Sequence, residues 1–136
     1  MNFDYSIEIP SATDFLELYL TTGWDSYKDT SVETIKKALQ NSWFVQAVYD
    51  KNKLIGVGRL ISDGFLQALL VDMIIHPEYQ RKGIGTILLR KLIEYCHKYQ
   101  IRILTLYAAP NKSKFYERQG FVRRPLDAPC LQMRLF

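Results

Sequence analysis

The chain is short of the residues that metal and redox sites are built from. It has only two cysteines, Cys96 and Cys130, in 136 residues. They fall at no metal-ligand or redox spacing, so they are read as free thiols and no metal is expected. No uninterrupted apolar run approaches the roughly 18 residues of a membrane span. The N-terminal MNFDYSIEIP lacks a basic start and an apolar segment, so no signal peptide is expected there. Internal repeats, low-complexity tracts and linkers are also missing. The combined expectation is a cytoplasmic protein with no membrane partner.

What is present suits a packed domain. The hydrophobic fraction is 48% and the aromatic fraction 13%, which argues against disorder. A chain of 136 residues fits a single domain, 1–136. At that size roughly two thirds of the unfolded surface is buried on folding, so no staples are required. The formal net charge is +4. Basic residues gather at Arg81-Lys82, Arg90-Lys91, Lys98 and Arg102, Lys112 to Lys114, and Arg123-Arg124. A polyanionic cofactor explains the first and fourth groups more simply than nucleic acid does, and the others fit an ordinary solvated face. No nucleic-acid partner is expected.

Local signals give an element order. Phe3 to Ile9 alternates and reads as a strand closed by Pro10. Ser11 and Ser31 are candidate caps for two helices, one running to Leu20 and one carrying Ile35, Ala38 and Leu39 on a single face. Trp43 to Tyr49, Leu54 to Ile61 and Leu66 to Ile75 read as three strands joined by tight turns. A helix follows from about Ile84 to Tyr99, with Leu88, Leu89, Leu92, Ile93 and Cys96 as its apolar stripe. Ile103 to Tyr107 is a strand. Lys112 to Gln119 is a short helix stopped by Gly120. Phe121 to Arg123 and Leu131 to Phe136 are expected as final strands. The order is β-α-α-β-β-β-α-β-α-β-β. Three consecutive strands imply an antiparallel meander, and the strand-helix-strand unit from Leu66 to Tyr107 implies a right-handed parallel crossover. A mixed α/β sheet of the α+β type, mostly antiparallel, with helices on both faces, is the expected fold class.

The stretch Gln80-Arg81-Lys82-Gly83-Ile84-Gly85-Thr86 lies between a strand and a helix. A helix N-terminus carries unpaired N–H groups and a partial positive charge, which suit a phosphate. Gly83 and Gly85 remove side chains that would hold a ligand off, while Arg81 and Lys82 add charge. A Walker loop would need Gly-Lys-Ser/Thr, which is missing. A dinucleotide fingerprint would need glycine at Leu88. The remaining pattern is Gln/Arg-x-x-Gly-x-Gly/Ala. The alternative is a glycine-rich turn that binds nothing.

That pattern, matched by Gln80, Gly83 and Gly85, resembles the pyrophosphate loop of the GNAT superfamily of N-acetyltransferases. A second segment, Ala109 to Phe121, is similar to the family signature in which a helix carries Phe115-Tyr116 and ends in Gly120-Phe121. Ile75-His76-Pro77-Glu78-Tyr79-Gln80 looks like the family's strand exit into the loop. With the element order, the resemblance covers nearly the whole chain.

The resemblance implies a pair of parallel strands splayed at their C-terminal ends, with acetyl-CoA in the gap as co-substrate. Its pantetheine amides would pair with backbone at Ile74 and Ile75, and its pyrophosphate would lie on the N–H groups from Arg81 to Thr86, including Ile84. Tyr116 would act as general acid toward the leaving thiolate. An ordinary tyrosine and a thiol differ by about 1.5 pH units, or roughly 2 kcal/mol. The other reading is that Phe115 and Tyr116 both pack. Asn111 is either a cofactor contact or an N-cap, because the interval to Tyr116 is shorter than in many members. Lys114 or Ser113 is available for the pantetheine or phosphate. Asp72 is the candidate base by position, or else a structural acceptor. Trp24, Tyr27, Phe65 and Tyr107 are candidates for an aromatic acceptor slot, and Asp25 and Asp63 for attracting a cation. Cys130 either approaches the sulfur end of the pocket or is a small buried residue.

The activity so implied is transfer of an acetyl group to a primary amine, on a small molecule or a protein, by direct attack in a ternary complex. The rival is a non-catalytic module that binds or senses acyl-CoA. The open edge of the final strand is compatible with a homodimer.

Overall fold

The structure is a computed structural model and describes residues 2–136. The described chain divides into two compact units, Met1–Thr105 and Leu106–Phe136, which are treated separately.

The first unit is built on a sheet of order β1-β2-β3-β4-β5, comprising β1 Asp4–Ser6, β2 Phe44–Asp50, β3 Lys53–Ser62, β4 Gln67–Ile75 and β5 Ile103–Leu106. The pairs from β1 to β4 are antiparallel. β5 runs parallel to β4 after the crossover helix, so the sheet is mixed with one parallel pair. Local signals account for the helices. Helix α1, Ala12–Leu20, is capped by the Ser11 hydroxyl, which accepts from the Asp14 N–H at 3.1 Å. Helix α2, Val32–Gln40, is capped in the same way by Ser31 and the Thr34 N–H. Each cap satisfies a donor that the first helical turn leaves without a partner.

Alternation along the strands sends side chains to two faces. Ala47, Val57 and Ile74 pack with Phe15, Leu18, Tyr19, Ile35 and Leu39 from α1 and α2. On the other face lies α3, Ile84–Lys98, whose Leu88, Leu89 and Leu92 are fully buried. Close approach of α3 explains Gly58: a Cβ there would stand 2.7 Å from Leu92 Cδ1. Helices on both faces of a mixed sheet agree with the expectation from element order.

The second unit contains a single short helix, α4, Ser113–Glu117. It stops at Gly120, whose φ of 105° is the left-handed conformation expected of the glycine that follows a helix. The two strands expected after it are a correction. Among the described residues, Phe121 to Arg123 and Leu131 to Phe136 form no strand. Alternation is a sufficient signal only where a neighbouring strand supplies the ladder, and a lone extended segment gains nothing from its pattern.

Candidate active site

The exit of β4 is shaped by three local devices. The His76 N–H donates to the Ile55 carbonyl at 2.7 Å, which holds the last residue of the ladder. A 3-10 turn, Pro77–Tyr79, follows, and His76 Nδ1 accepts from the Glu78 N–H at 3.1 Å. Gln80 then folds back, its Nε2 donating to the Ile75 carbonyl at 3.0 Å. His76 and Gln80 are therefore structural parts of the turn. Arg81 and Gly83 adopt positive φ of 63° and 81°. Gly83 is the N-terminal boundary of α3 and makes no side-chain cap.

This arrangement leaves the start of α3 open. No acidic side chain lies in its first turn, unlike α1 and α2. The N–H groups of the first turn have no intrahelical acceptor. A Cβ on Gly83 would meet nothing within 4 Å, so the space before the helix is clear. Arg81 and Lys82 are exposed, and neither enters an ion pair among the described residues. Ile84 differs from its neighbours. Its side chain is buried beside Val48 and Ile55, so it pins the helix end to the sheet and offers only its backbone outward. Gly85 and Thr86 are partly buried in the same first turn.

The strand leading into the loop has a free edge. β5 has four residues and β4 nine. Parallel pairing begins where the Arg102 and Ile103 N–H groups donate to the Leu66 carbonyl, at 2.9 and 3.2 Å. The paired length of β5 therefore runs out before β4 does. Ile74 and Ile75, whose side chains go to opposite faces, lie in the part beyond. Backbone groups on that edge suit a ligand that carries amides.

Asp72 lies upstream on the same strand, at a bulge. Val57 pairs with Ile74 and Arg59 with Val71, so Asp72 and Met73 together face Gly58. Asp72 has φ of 54°, a left-handed conformation that the bulge imposes. Both its carboxylate oxygens are engaged. Oδ2 accepts from Arg59 Nε at 2.6 Å and Oδ1 from the Tyr27 hydroxyl at 2.8 Å. Arg59 also donates to Tyr27 Oη at 3.3 Å and to Ser42 Oγ at 3.2 Å. The Arg59 and Asp72 side chains are 12% and 7% exposed, so this ion pair is buried. Burial alone would lower the Arg59 pKa, but Asp72 more than reverses that, and the net direction is up. Burial first, and Asp72 next, push the Tyr27 phenol up to about 12. Of the two roles expected for Asp72, the contacts are those of a structural acceptor. Both of its acceptor oxygens are already engaged, in a pairing that is costly to break when buried.

Arg59 and Tyr19 were not singled out by the sequence. The signal for Arg59 was there: it is the one charge inside the apolar run Leu54 to Ile61. Tyr19 stacks on Tyr27 with ring centroids 4.9 Å apart and meets Trp24 edge-on at 6.2 Å. Its hydroxyl accepts from the Tyr27 N–H at 3.0 Å. Trp24 and Tyr27 of the expected aromatic slot are thus joined, through Tyr19. Phe65 is not among them. It stands 78% exposed on the β3–β4 turn, where Asp63 Oδ1 accepts from the N–H groups of Phe65, Leu66 and Gln67. Those bonds hold the Asp63 carboxyl below its usual range and assign it to the turn, not to a cation.

The other predicted residues belong to the second unit. Tyr116 is on α4, with Phe115 and Phe121 edge-on to its ring at 5.0 and 5.9 Å. Burial pushes its phenol up to about 12. Asn111 is not the N-cap. That position is Lys112, and Asn111 precedes it with φ of 65°. The Ser113 hydroxyl accepts from Arg123 Nη2 at 2.6 Å, while Lys114 is exposed. Cys130 is exposed, which excludes the buried reading, and Cys96 is buried within α3. Tyr107 is 53% exposed.

Comparisons with known proteins bear on the family and the fold. The acetyltransferase (GNAT) domain family matches residues 11–130.

The chain belongs to the GNAT acetyltransferases.

It is 33% identical over 98 residues to an uncharacterized N-acetyltransferase, ycf52, of Pyropia yezoensis, covering 69% of this chain and 56% of that one. A histone acetyltransferase, TAP1, of Glycine max is 31% identical over 99 residues, covering 65% and 43%. This GNAT chain therefore spans about half the length of the curated relatives it matches. Among solved structures, a probable acetyltransferase of unknown function from Staphylococcus aureus aligns with a TM-score of 0.87 at 25% identity, covering 98% of this chain and 100% of that one. PaiA N-acetyltransferase of Thermoplasma acidophilum, solved in complex with coenzyme A, aligns with a TM-score of 0.71 at 21% identity over 91% and 92%. That last likeness concerns the fold alone.

Proposed function

We propose that this GNAT chain transfers an acetyl group from acetyl-CoA to a primary amine by direct attack in a ternary complex. The observation that carries the reading is the uncapped N-terminus of α3, with clear space at Gly83, at the end of a strand whose free edge outruns β5. A diphosphate fits the first-turn N–H groups with Arg81 and Lys82, and a chain of amides fits the edge at Ile74 and Ile75. Coenzyme A has both parts. The PaiA structure, which holds coenzyme A on the same fold, supports the choice.

In the reaction the amine nitrogen forms a bond to the thioester carbonyl carbon, the C–S bond breaks, and the thiolate takes a proton. Tyr116 is the proposed donor. With a phenol at about 12 it stays protonated across the neutral range. Full transfer to a thiol near 8.5 is uphill by roughly 3.5 pH units, or about 5 kcal/mol, against the 2 kcal/mol of an ordinary tyrosine. A hydrogen bond aimed at the developing charge is the form of help that such a phenol supplies best. The amine must lose a proton, at a cost of about 4.6 kcal/mol for a lysine-like ammonium at pH 7. Asp72 is committed to Arg59 and Tyr27, so water carries that proton and Asp72 holds the bulge. Asn111 and Lys114 are proposed as further cofactor contacts. No helix among the described residues is long and apolar enough to cross a membrane. A cytoplasmic setting is proposed with the activity.

An amine panel with acetyl-CoA, read by release of free thiol, tests the proposal. Turnover on a primary amine is the expected result. A melting shift with coenzyme A but no turnover on any amine would favour the sensing module instead.

A further inference from the structure

A cleft of about 180 Å³ is lined wholly by residues of the first unit, none of them from α3. One side of it is α1 and its C-terminal boundary. Asp14, Glu17 and Thr21 stand there at spacings of three and four residues, which puts them on one helical face. The other side is the turn between β2 and β3, with Asn52 and Lys53, together with His76 at the exit of β4. Leu18 and Leu54, 2% and 6% exposed, supply its apolar lining.

The polar groups of this cleft are largely unspent. Among the described residues, the carboxylates of Asp14 and Glu17 enter no hydrogen bond or ion pair. Asp14 is half-buried. It stands three residues after the cap Ser11, where an acid can reach back to the cap N–H, yet it makes no such bond. Two carboxylates three residues apart on a helix repel each other, and a cation beside them relieves that repulsion. On the other side, His76 Nδ1 accepts from the Glu78 N–H, so the proton of the neutral ring sits on Nε2. Lys53 Nζ reaches Glu78 only at 3.9 Å, with both side chains more than half exposed, which makes a weak pair. Neither carboxylate of α1 pairs with Lys53. Acid and base therefore line one cleft without meeting.

We infer that this cleft binds a free α-amino acid as its zwitterion. The ammonium lies against Asp14 and Glu17. The Thr21 hydroxyl gives its own proton to the Leu18 carbonyl at 2.6 Å, so its oxygen is a further acceptor. The carboxylate lies against Lys53, the His76 Nε2–H and the Asn52 amide. The volume is that of about six waters, which suits an amino acid with a small side chain resting on Leu18 and Leu54. A diamine sets one of its charges against Lys53, and a dicarboxylate sets one against Asp14 and Glu17, so the two-signed lining selects the zwitterion. The site binds its amino acid and does not present it for acetylation. An ammonium held beside two carboxylates keeps its proton and offers no lone pair to a thioester. The inference accordingly does not rest on the proposed activity.

Amide NMR titration of the whole chain with L-alanine, L-serine and L-valine tests it, because it reads affinity and location together. At least one of the three is expected to bind with a dissociation constant of about 1 mM or below. Its binding should move the amides of Asp14 to Thr21, Asn52 to Leu54 and His76. Its methyl ester lacks the carboxylate charge and its N-acetyl derivative lacks the ammonium, so each should bind at least about tenfold more weakly. The double variant Asp14→Asn with Glu17→Gln should weaken binding by at least about tenfold, and Lys53→Gln by about threefold. The melting shift given by coenzyme A should be unchanged in both variants, which shows that they fold. No binding of any of the three amino acids overturns the inference. Equal binding of the ester or the N-acetyl derivative overturns the zwitterion as the ligand. Full binding in both variants, or amide shifts elsewhere, overturns the cleft as the site. Formation of the N-acetyl amino acid from acetyl-CoA, lost in the double variant, overturns the assignment to binding without acetylation.

Discussion

The start of α3 and the bulge at Asp72 lie on either side of the end of β4, and they handle polar groups in opposite ways. At α3 the chain leaves donors open: the helix has no side-chain cap and no first-turn acid, and clear space lies at Gly83. At the bulge the strong groups are matched: Asp72 accepts from Arg59 and Tyr27 at 2.6 and 2.8 Å, and Arg59 also donates to Ser42 and Tyr27 at 3.2 and 3.3 Å. A ligand site must leave hydrogen-bonding capacity unspent until the ligand arrives, whereas a buried joint cannot tolerate any. That contrast is what supports the proposal of a cofactor at α3 and of an architectural role for Asp72.

The sharpest way to break the contrast is to unmatch the joint. Arg59→Ala leaves the Asp72 carboxylate buried without its cation and should destabilise the fold by roughly 3–5 kcal/mol. Urea unfolding measures it. A loss below about 1 kcal/mol would show that the pair is not a structural joint. Asp72→Asn is the companion. It should lower the melting temperature and depress kcat/KM by the same factor from pH 6 to pH 9. Recovery at high pH, where the amine deprotonates itself, would instead return Asp72 to the role of base.

Next comes the open site. At 100 times its dissociation constant, coenzyme A should stabilise the wild type by about 2.7 kcal/mol. Gly83→Asp should remove that stabilisation, because a carboxylate then occupies the phosphate position in a backbone conformation that disfavours a side chain. Differential scanning fluorimetry with and without coenzyme A gives the answer. A full melting shift in the variant would move the cofactor away from α3. Tyr116→Phe should lower kcat by about 10²-fold, with the coenzyme A dissociation constant nearly unchanged. Wild-type turnover would leave Tyr116 as a packing residue.

The smallest effect concerns Tyr27. Its phenol at about 12 in the folded chain compares with about 10 unfolded. The folded state therefore holds the proton longer. That contribution is fully present below pH 10 and is lost as pH rises through about 12. Tyr116 is raised in the same sense, so stability should fall across this window in the wild type. Tyr27→Phe should make the fall shallower and lower stability near pH 7 by about 1–2 kcal/mol, for the bond its hydroxyl donates to Asp72 and the longer one it accepts from Arg59. An unchanged alkaline slope would place the Tyr27 hydroxyl in water.

Much of the molecule was legible from local chemistry. Ser11 and Ser31 cap α1 and α2 because a serine hydroxyl reaches the nearest unpaired N–H whatever lies elsewhere. The apolar stripe from Leu88 to Cys96 specifies α3 for a similar reason, since its period belongs to a single helix. Gly83 marks a left-handed turn that few other residues adopt. By the same logic the family motifs at Gln80 to Gly85 and at Phe115 to Phe121 could be read in the linear chain, since each is one continuous segment. Only the tertiary structure decided that Asp72 meets Arg59 and Tyr27, that β5 stops short of β4, and that Leu131 to Phe136 forms no strand. These outcomes depend on groups 13 and 45 residues apart, or on whether an edge finds a strand. A side chain's own pattern carries no information about a partner that distant.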